Sequence, residues 1–380
     1  MELIPQIPLK LMVSGFILFP VRLVEDDQIC FFLFVSCLSP HFYGLKTMEK
    51  TTVLKLIIMR IFSTPRIVVS ACLEFEKVRY DGKVIPCPVV NDLMPLVDFI
   101  KVCPECEIGL GVPRDPLRIV KVEGRERLIQ PLTGADVTGP MDKFTDQFID
   151  SLPPVDGFLF KYGSPTIGLY NIKVYHHPVG PGIAGRTSGL FAYKILHRYP
   201  GYPLEDDMRL RNAKIRDDFL TRVFAFASFR QAAETGDPGA VRDFHERNKY
   251  LFMCYDPDAY TVLDVALEHG DNAWYFDRMK RVLSNQRTTE QYASVAMHIF
   301  QRYNDRLSPA ETAWFHDLVA KYRKNKVTRE GLLGALEQFA VEISDWQMID
   351  QTLFASYPPE LVPDADLKRD KDYRKMLSIP

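Results

Sequence analysis

Apolar and polar positions fall into two regimes along this 380-residue chain. From Arg66 to about residue 200 the apolar residues come in short β-branched or aromatic runs bounded by Gly, Pro and Asp, the pattern of buried strands. Ile67-Val68-Val69-Ser70 is the first run, with Ala71-Cys72 at its carboxyl end. Residues 91–100 read as a short amphipathic helix. Leu117 to Val122 alternates as a strand that can pair with Arg127-Leu128-Ile129 across Glu123-Gly124. Met141, Phe144, Phe148 and Ile149 recur at helical spacing, which predicts a helix over 138–151 with one buried face. Val155 to Lys161 is another buried strand, and Gly185 to Ala192 a strand-to-helix turn that closes this part.

From about Lys214 the apolar period changes to 3.6 and stays there to about 346. Helix starts are expected at Pro238, at Asp256-Pro257 and at Ser308-Pro309-Ala310-Glu311, the last a capping box with Pro in the first turn. Thr288-Thr289-Glu290 and Thr328-Arg329-Glu330 are weaker starts of the same kind. The fold class that follows is an α/β domain, Rossmann-like with a mostly parallel sheet, then an all-α domain. The expected division is an apolar extension over 1–62, the α/β domain over 63–200, a linker over 201–213 opening at Pro203 to Asp207, the helical domain over 214–362, and a charged tail over 363–380.

The extension holds two apolar runs, each shorter than the roughly 20 residues of a spanning helix. It is read as an upstream addition with no part in the chemistry, Cys30 and Cys37 included; a membrane anchor is the alternative. A net charge of −2 argues against wholesale polyanion binding without excluding a local basic face. Seven cysteines make no disulfide framework, and their placement near Pro and Glu points to thiolate chemistry in a reducing, cytoplasmic setting.

The densest chemistry lies between Val102 and Arg114, where Cys103, Glu105, Cys106 and Glu107 share a loop with Gly109, Gly111 and the pair Pro113-Arg114. The loop is too short and polar to be core. It follows one strand, Cys72 another, and Gly163-Ser164-Pro165-Thr166-Ile167-Gly168 a third, so the strand ends should bring all three to one rim. No second Cys-x-x-Cys or His-x-x-x-His completes a zinc site, and the pair does not look like one that opens a helix after a strand, as a redox pair would. A soft metal held by cysteines from separate loops suits the pattern better. Cys87, between Pro86 and Pro88, is a spare ligand or a plain thiol in a rigid loop, and Cys254 reads as core. In the helical part His245 with Lys249 and Arg242, and the cluster Lys321, Arg323, Lys324, Lys326 and Arg329, are either RNA-phosphate contacts or solvated basic faces. Tyr250, Phe252, Trp274, Tyr275 and Trp314 read as core rather than as base-stacking platforms.

Six motifs in order, Val69-Ser70-Ala71-Cys72, Val78-Arg79-Tyr80-Asp81-Gly82, Cys103-Pro104-Glu105, Gly109 to Arg114, Thr133 to Thr138, and Ser164-Pro165-x-x-Gly168 with Lys173-Val174-Tyr175, resemble the thiouracil desulfidase domain over about residues 64–200. The segments Asp217 to Phe224 and Phe244 to Leu251 resemble the helical domain fused to it in two-domain RNA thiouridine desulfidases. The resemblance implies removal of sulfur from thiolated uracil in RNA, 4-thiouridine of tRNA becoming uridine. It also implies a 4Fe–4S cluster held by three cysteines, an open iron that takes the thiocarbonyl sulfur, and a carboxylate at Glu105 to move protons. Ser164, and more weakly Ser70, match residues placed near the cluster or base. Cys72 and Cys103 match cluster ligands. The family's third cysteine is Ile167 here, so Cys106 is the substitute expected, and a catalytically inactive, cluster-free RNA-binding relative is the alternative. No membrane span and no obligate protein partner are expected.

Overall fold

The computed structural model describes residues 61–362 and the backbone of three strands before them: β1 (Leu11–Val13), β2 (Phe16–Glu25) and β3 (Gln28–Val35), an antiparallel sheet. That sheet lies in a unit of its own, Met1–Met59. The remaining readings for the extension, and those for 363–380, fall outside the described residues.

The second unit, Arg60–Pro380, is built on a four-stranded sheet in which every neighbour is parallel. Its strands are β4 (Arg66–Ser70), β5 (Asp98–Val102), β8 (Gly157–Phe160) and β11 (Leu204–Asp206), in the order β11-β8-β4-β5. Strand β4 is buried on both sides, and the two-residue side-chain period sends its residues to two different cores. Val68, with Phe158 and Phe160 of β8, packs against α3 (Thr138–Ser151) and α4 (Leu190–Arg198) through Met141, Phe191 and Ile195. Ile67 and Val69, with Leu159, face the other way, onto α1 (Pro88–Leu93) and the first helix of the helical part. A second sheet lies in the first core: β6 (Arg118–Val122) pairs antiparallel with β7 (Arg125–Ile129) and parallel with β9 (Ile172–Tyr175), which β10 (Ile183–Thr187) extends.

The helical part runs α5 (Ala213–Glu234), α6 (Pro238–Tyr255), α7 (Ala259–Glu268), α8 (Asn272–Leu283), α9 (Thr289–Gln301), α10 (Pro309–Arg323), α11 (Arg329–Glu342) and α12 (Trp346–Ile349). The caps at Ser308 and Thr328 form as expected, and Thr288 makes a full capping box with Gln291. Helix α5 packs Phe219, Leu220 and Val223 on the sheet, and Arg230 on it pairs with buried Asp156 at the foot of β8, 2.9 Å apart.

Three sequence readings are corrected. Residues 91–100 are not one helix: α1 starts at Pro88 and ends before Pro95, after which Asp98–Val102 is a strand. Proline is tolerated in a first helical turn and disfavours helix in the residue before it, which places both limits. Residues 203–207 do not form a linker, because Leu204–Asp206 is the edge strand β11, paired parallel to β8. Trp314 is 51% exposed rather than core.

The helical part holds a buried ion cluster. Asp217 on α5 accepts from Arg287 at 2.9 Å, from Arg329 at 2.6 and 2.9 Å, and from the Tyr357 hydroxyl at 2.7 Å. Burial alone would raise this carboxyl, but Arg287 and Arg329 override it and hold it well below the usual range. A depressed carboxyl stabilises the fold above its unfolded value, so this contribution fades as pH falls below about 4. Asp217→Ala leaves the buried Arg287 guanidinium with only the more distant Asp218 carboxylate and removes the main partner of Arg329, and is expected to cost about 3–5 kcal/mol in urea unfolding.

Candidate active site at the sheet rim

The carboxyl ends of β4, β5 and β8 lie side by side, as parallel pairing requires, and carry Cys72, Cys103 and the Ser164 loop respectively. Cys103 caps α2 (Pro104–Glu107), a single turn with proline first. The pair Cys103-x-x-Cys106 therefore does open a helical turn after a strand, contrary to the sequence reading. Pro104 and Glu105 are buried, so part of this loop is interior after all.

Arg114 organises the site. Its Nε donates to Glu105 Oε2 at 2.6 Å, its Nη1 reaches Cys106 Sγ at 3.5 Å, and its Nη2 reaches Cys103 Sγ at 3.6 Å. Nη1 also donates to the carbonyls of Val78 at 3.0 Å and Gly111 at 2.9 Å. The Val78 oxygen is approached as well by the thiols of Cys103 at 3.5 Å and Cys106 at 3.8 Å. One carbonyl with two lone pairs cannot serve three donors fully. The two sulfur atoms are thus held in one place more firmly than they are satisfied there.

Glu105 is fixed from its other side too. Thr166 Oγ1 donates to Glu105 Oε1 at 2.9 Å and accepts from the Ser164 hydroxyl at 2.8 Å. Ser164 Oγ in turn accepts the backbone N–H groups of Thr166 and Ile167, both at 3.2 Å. Ser164 therefore acts on Glu105 through Thr166, which the sequence did not single out. Ser70 is buried, and its Oγ accepts the Lys161 N–H at 2.9 Å. It ties β4 to β8.

Burial pushes the Cys72 thiol up to about 11, against the pull of Lys161. Burial likewise pushes Cys103 up to about 12. Ile167, where a third family cysteine was expected, is 5% exposed and sits in the core with Phe191 and Leu169. Cys87 and Cys254 are buried. Among the described residues no three His, Cys, Asp or Glu side chains converge as a single metal ion would need.

The helical positions expected to meet RNA are less available. His245 is fully buried, with Nδ1 3.0 Å from the Tyr275 hydroxyl, and cannot face phosphate. Lys249 lies 4.4 Å from the Tyr260 ring centroid, Lys321 pairs with Asp317 at 2.6 Å, and Arg323 pairs with Glu290 at 2.7 Å. Lys324 is exposed.

Residues 67–207 match the family model for 2-thiouracil desulfurase. The α/β part is similar to the 2-thiouracil desulfurase family over that span. Residues 249–358 match a protein family of unknown function, DUF1722. A solved structure described as the 4Fe–4S-dependent thiouracil desulfidase TudS is 26% identical and covers 39% of this chain and 94% of that one, with a TM-score of 0.31. No curated protein matches the chain. Among the described residues no helix is long and apolar enough to cross a membrane.

The raised thiols give a direct test on the metal-free intact chain. Alkylation of Cys72 and Cys103 by iodoacetamide is expected to keep rising about tenfold per pH unit past the ordinary thiol value of about 8.5. A plateau near that value, followed by mass spectrometry of the modified peptides, would contradict the burial argument.

Proposed function

We propose that this protein removes sulfur from thiolated uracil in RNA, with 4-thiouridine of tRNA as the substrate and uridine as the product. The observation that carries the reading is Glu105, held at both oxygens between Arg114 and Thr166 while the same guanidinium touches two thiols, within a desulfurase-family domain.

The donor set fits a 4Fe–4S cluster in kind. Thiolates suit iron, and a multi-iron cluster takes its thiolates at separate irons, so its ligands need not meet at one point. Cys72, Cys103 and Cys106 are the residues that would hold it, and Arg114 supplies a positive charge beside them. When bound, such a group supplies a Lewis acid for the thiocarbonyl sulfur.

The chain's own residues do the rest. Glu105 takes one proton from the attacking water, whose oxygen forms the new C–O bond, and returns it to sulfur as the C–S bond breaks; the second proton leaves the new C–OH through the same carboxylate as C=O forms and completes hydrogen sulfide. Arg114 and Thr166 limit Glu105 to one orientation, leaving a lone pair for that proton. Ser164 keeps the Thr166 hydroxyl pointed at Glu105 by donating to it.

A second reading, a catalytically inactive relative that binds RNA without a cluster, is favoured by one observation: the family's third ligand position is Ile167, given over to packing. Anaerobic purification separates the two. The enzyme should be brown, carry about four irons per chain, and release sulfide from 4-thiouridine RNA. Glu105→Gln should keep the colour and lose about 100- to 10,000-fold in rate. Cys106→Ala should lose the colour. A colourless, iron-free protein after reconstitution establishes the second reading instead.

A further inference from the structure

We infer that two exposed tyrosines at the rim, Tyr80 and Tyr162, are stacking platforms for the bases on either side of the target base in single-stranded RNA. This rests on the proposed desulfidase reading and names how its substrate is gripped.

Each ring stands on a backbone anchored at the site. Tyr162 follows β8 directly; its N–H donates to Asp207 at 2.7 Å, and the Lys161 N–H before it is held by Ser70 at 2.9 Å. Lys161 and Asp207 are also charges felt by the Cys72 thiol, so Tyr162 belongs to the Cys72 side of the rim. Tyr80 belongs to the other side: its carbonyl accepts the Arg114 N–H at 2.9 Å, two residues after the Val78 carbonyl approached by Cys103 and Cys106. Despite these anchors the rings are open, Tyr162 being 51% and Tyr80 39% exposed. Each has a cation beside it. The Arg79 guanidinium is 4.6 Å from the Tyr80 centroid, and Lys161 Nζ is 5.7 Å from that of Tyr162.

Single exposed aromatics are ordinary on protein surfaces. Two of them, each with a fixed backbone and a neighbouring cation, one following the β8 tip near Cys72 and the other bonded to Arg114 beside Cys103 and Cys106, are what stacking recognition uses. The charge balance points the same way. In a chain of net charge −2, Arg79 and Lys161 pair with Asp81 and Asp207 as the helical Lys321 and Arg323 pair with Asp317 and Glu290, so none of these four cations is unpaired. Stacking supplies affinity without net charge. It also requires unstacked bases, as does delivery of a base edge to thiols at a sheet rim.

The test uses the full chain and a fluorescein-labelled nine-nucleotide oligouridylate, followed by fluorescence anisotropy. Because this probe carries no sulfur, failure here leaves the desulfidase reading to be judged by sulfide release. Tyr80→Leu and Tyr162→Leu keep apolar bulk and remove the planar face; each should weaken binding about 5- to 100-fold at an unchanged thermal midpoint. Tyr80→Phe and Tyr162→Phe should bind within about twofold of the parent, with the salt dependence shallow throughout. Parental affinity in the Leu variants, an equal loss in the Phe variants, or loss of binding in Lys321→Ala/Arg323→Ala/Lys324→Ala alone would each overturn the inference.

Discussion

A strand with apolar side chains on both faces needs cover on both faces, and β4 imposes this on everything around it. Val68 points into the core shared with α3, α4 and the second sheet, while Ile67 and Val69 point into the core shared with α1 and α5. The helical part is therefore not an appendage. Its first helix is one of the two covers of the parallel sheet, and the Arg230–Asp156 pair fixes that helix to the foot of β8. The tips of β4, β5 and β8 are aligned only because the strands below them are held this way.

Two buried guanidinium arrangements serve different ends. Around Asp217, the two arginines and Tyr357 satisfy the carboxylate completely, which is what a structural ion cluster must achieve to repay desolvation. At the rim, Arg114 spreads its donors over Glu105, two thiols and two carbonyls, and the Val78 oxygen is left with more donors than lone pairs. The first arrangement is closed on one carboxylate, whereas the second gathers a carboxylate and two thiols around one guanidinium. That difference marks the rim as the place for a ligand.

Much of this could be read from the chain alone. The β-branched run at 67–70, the alternation at 117–122 and the four apolar residues spaced along 138–151 each leave only one way to bury their side chains. The helix starts at Ser308, Thr288 and Thr328 were legible because capping is chemistry within four residues. What stayed hidden depends on distant partners. Asp206 and Asp207 look like linker residues until the backbone N–H groups of Met208, Arg209 and Tyr162 are seen to satisfy them. His245 looks like a phosphate contact until it is found buried among Tyr260 and Tyr275. Thr166 carries no motif, and its hydroxyl acquires meaning only from Glu105, which is 61 residues away. Arg114 stood in a quoted motif, but a Pro-Arg pair does not announce a guanidinium with five partners.

Ile167 and Cys106 are best understood together. The loop after β8 still holds Ser164 and Thr166 against Glu105, yet its next residue has turned inward to pack with Leu169 and Phe191. A thiol at 167 would leave that core short of an isoleucine and would still have to leave it to reach the rim. Cys106 needs no such movement: one helical turn places its sulfur beside that of Cys103, on the same guanidinium and against the same carbonyl. On the proposed desulfidase reading, Cys106 at the tip of β5 would stand in for a thiol at the tip of β8. The cost is two ligands from one short turn, and Arg114 is the counter-charge that makes two adjacent thiolates tolerable there.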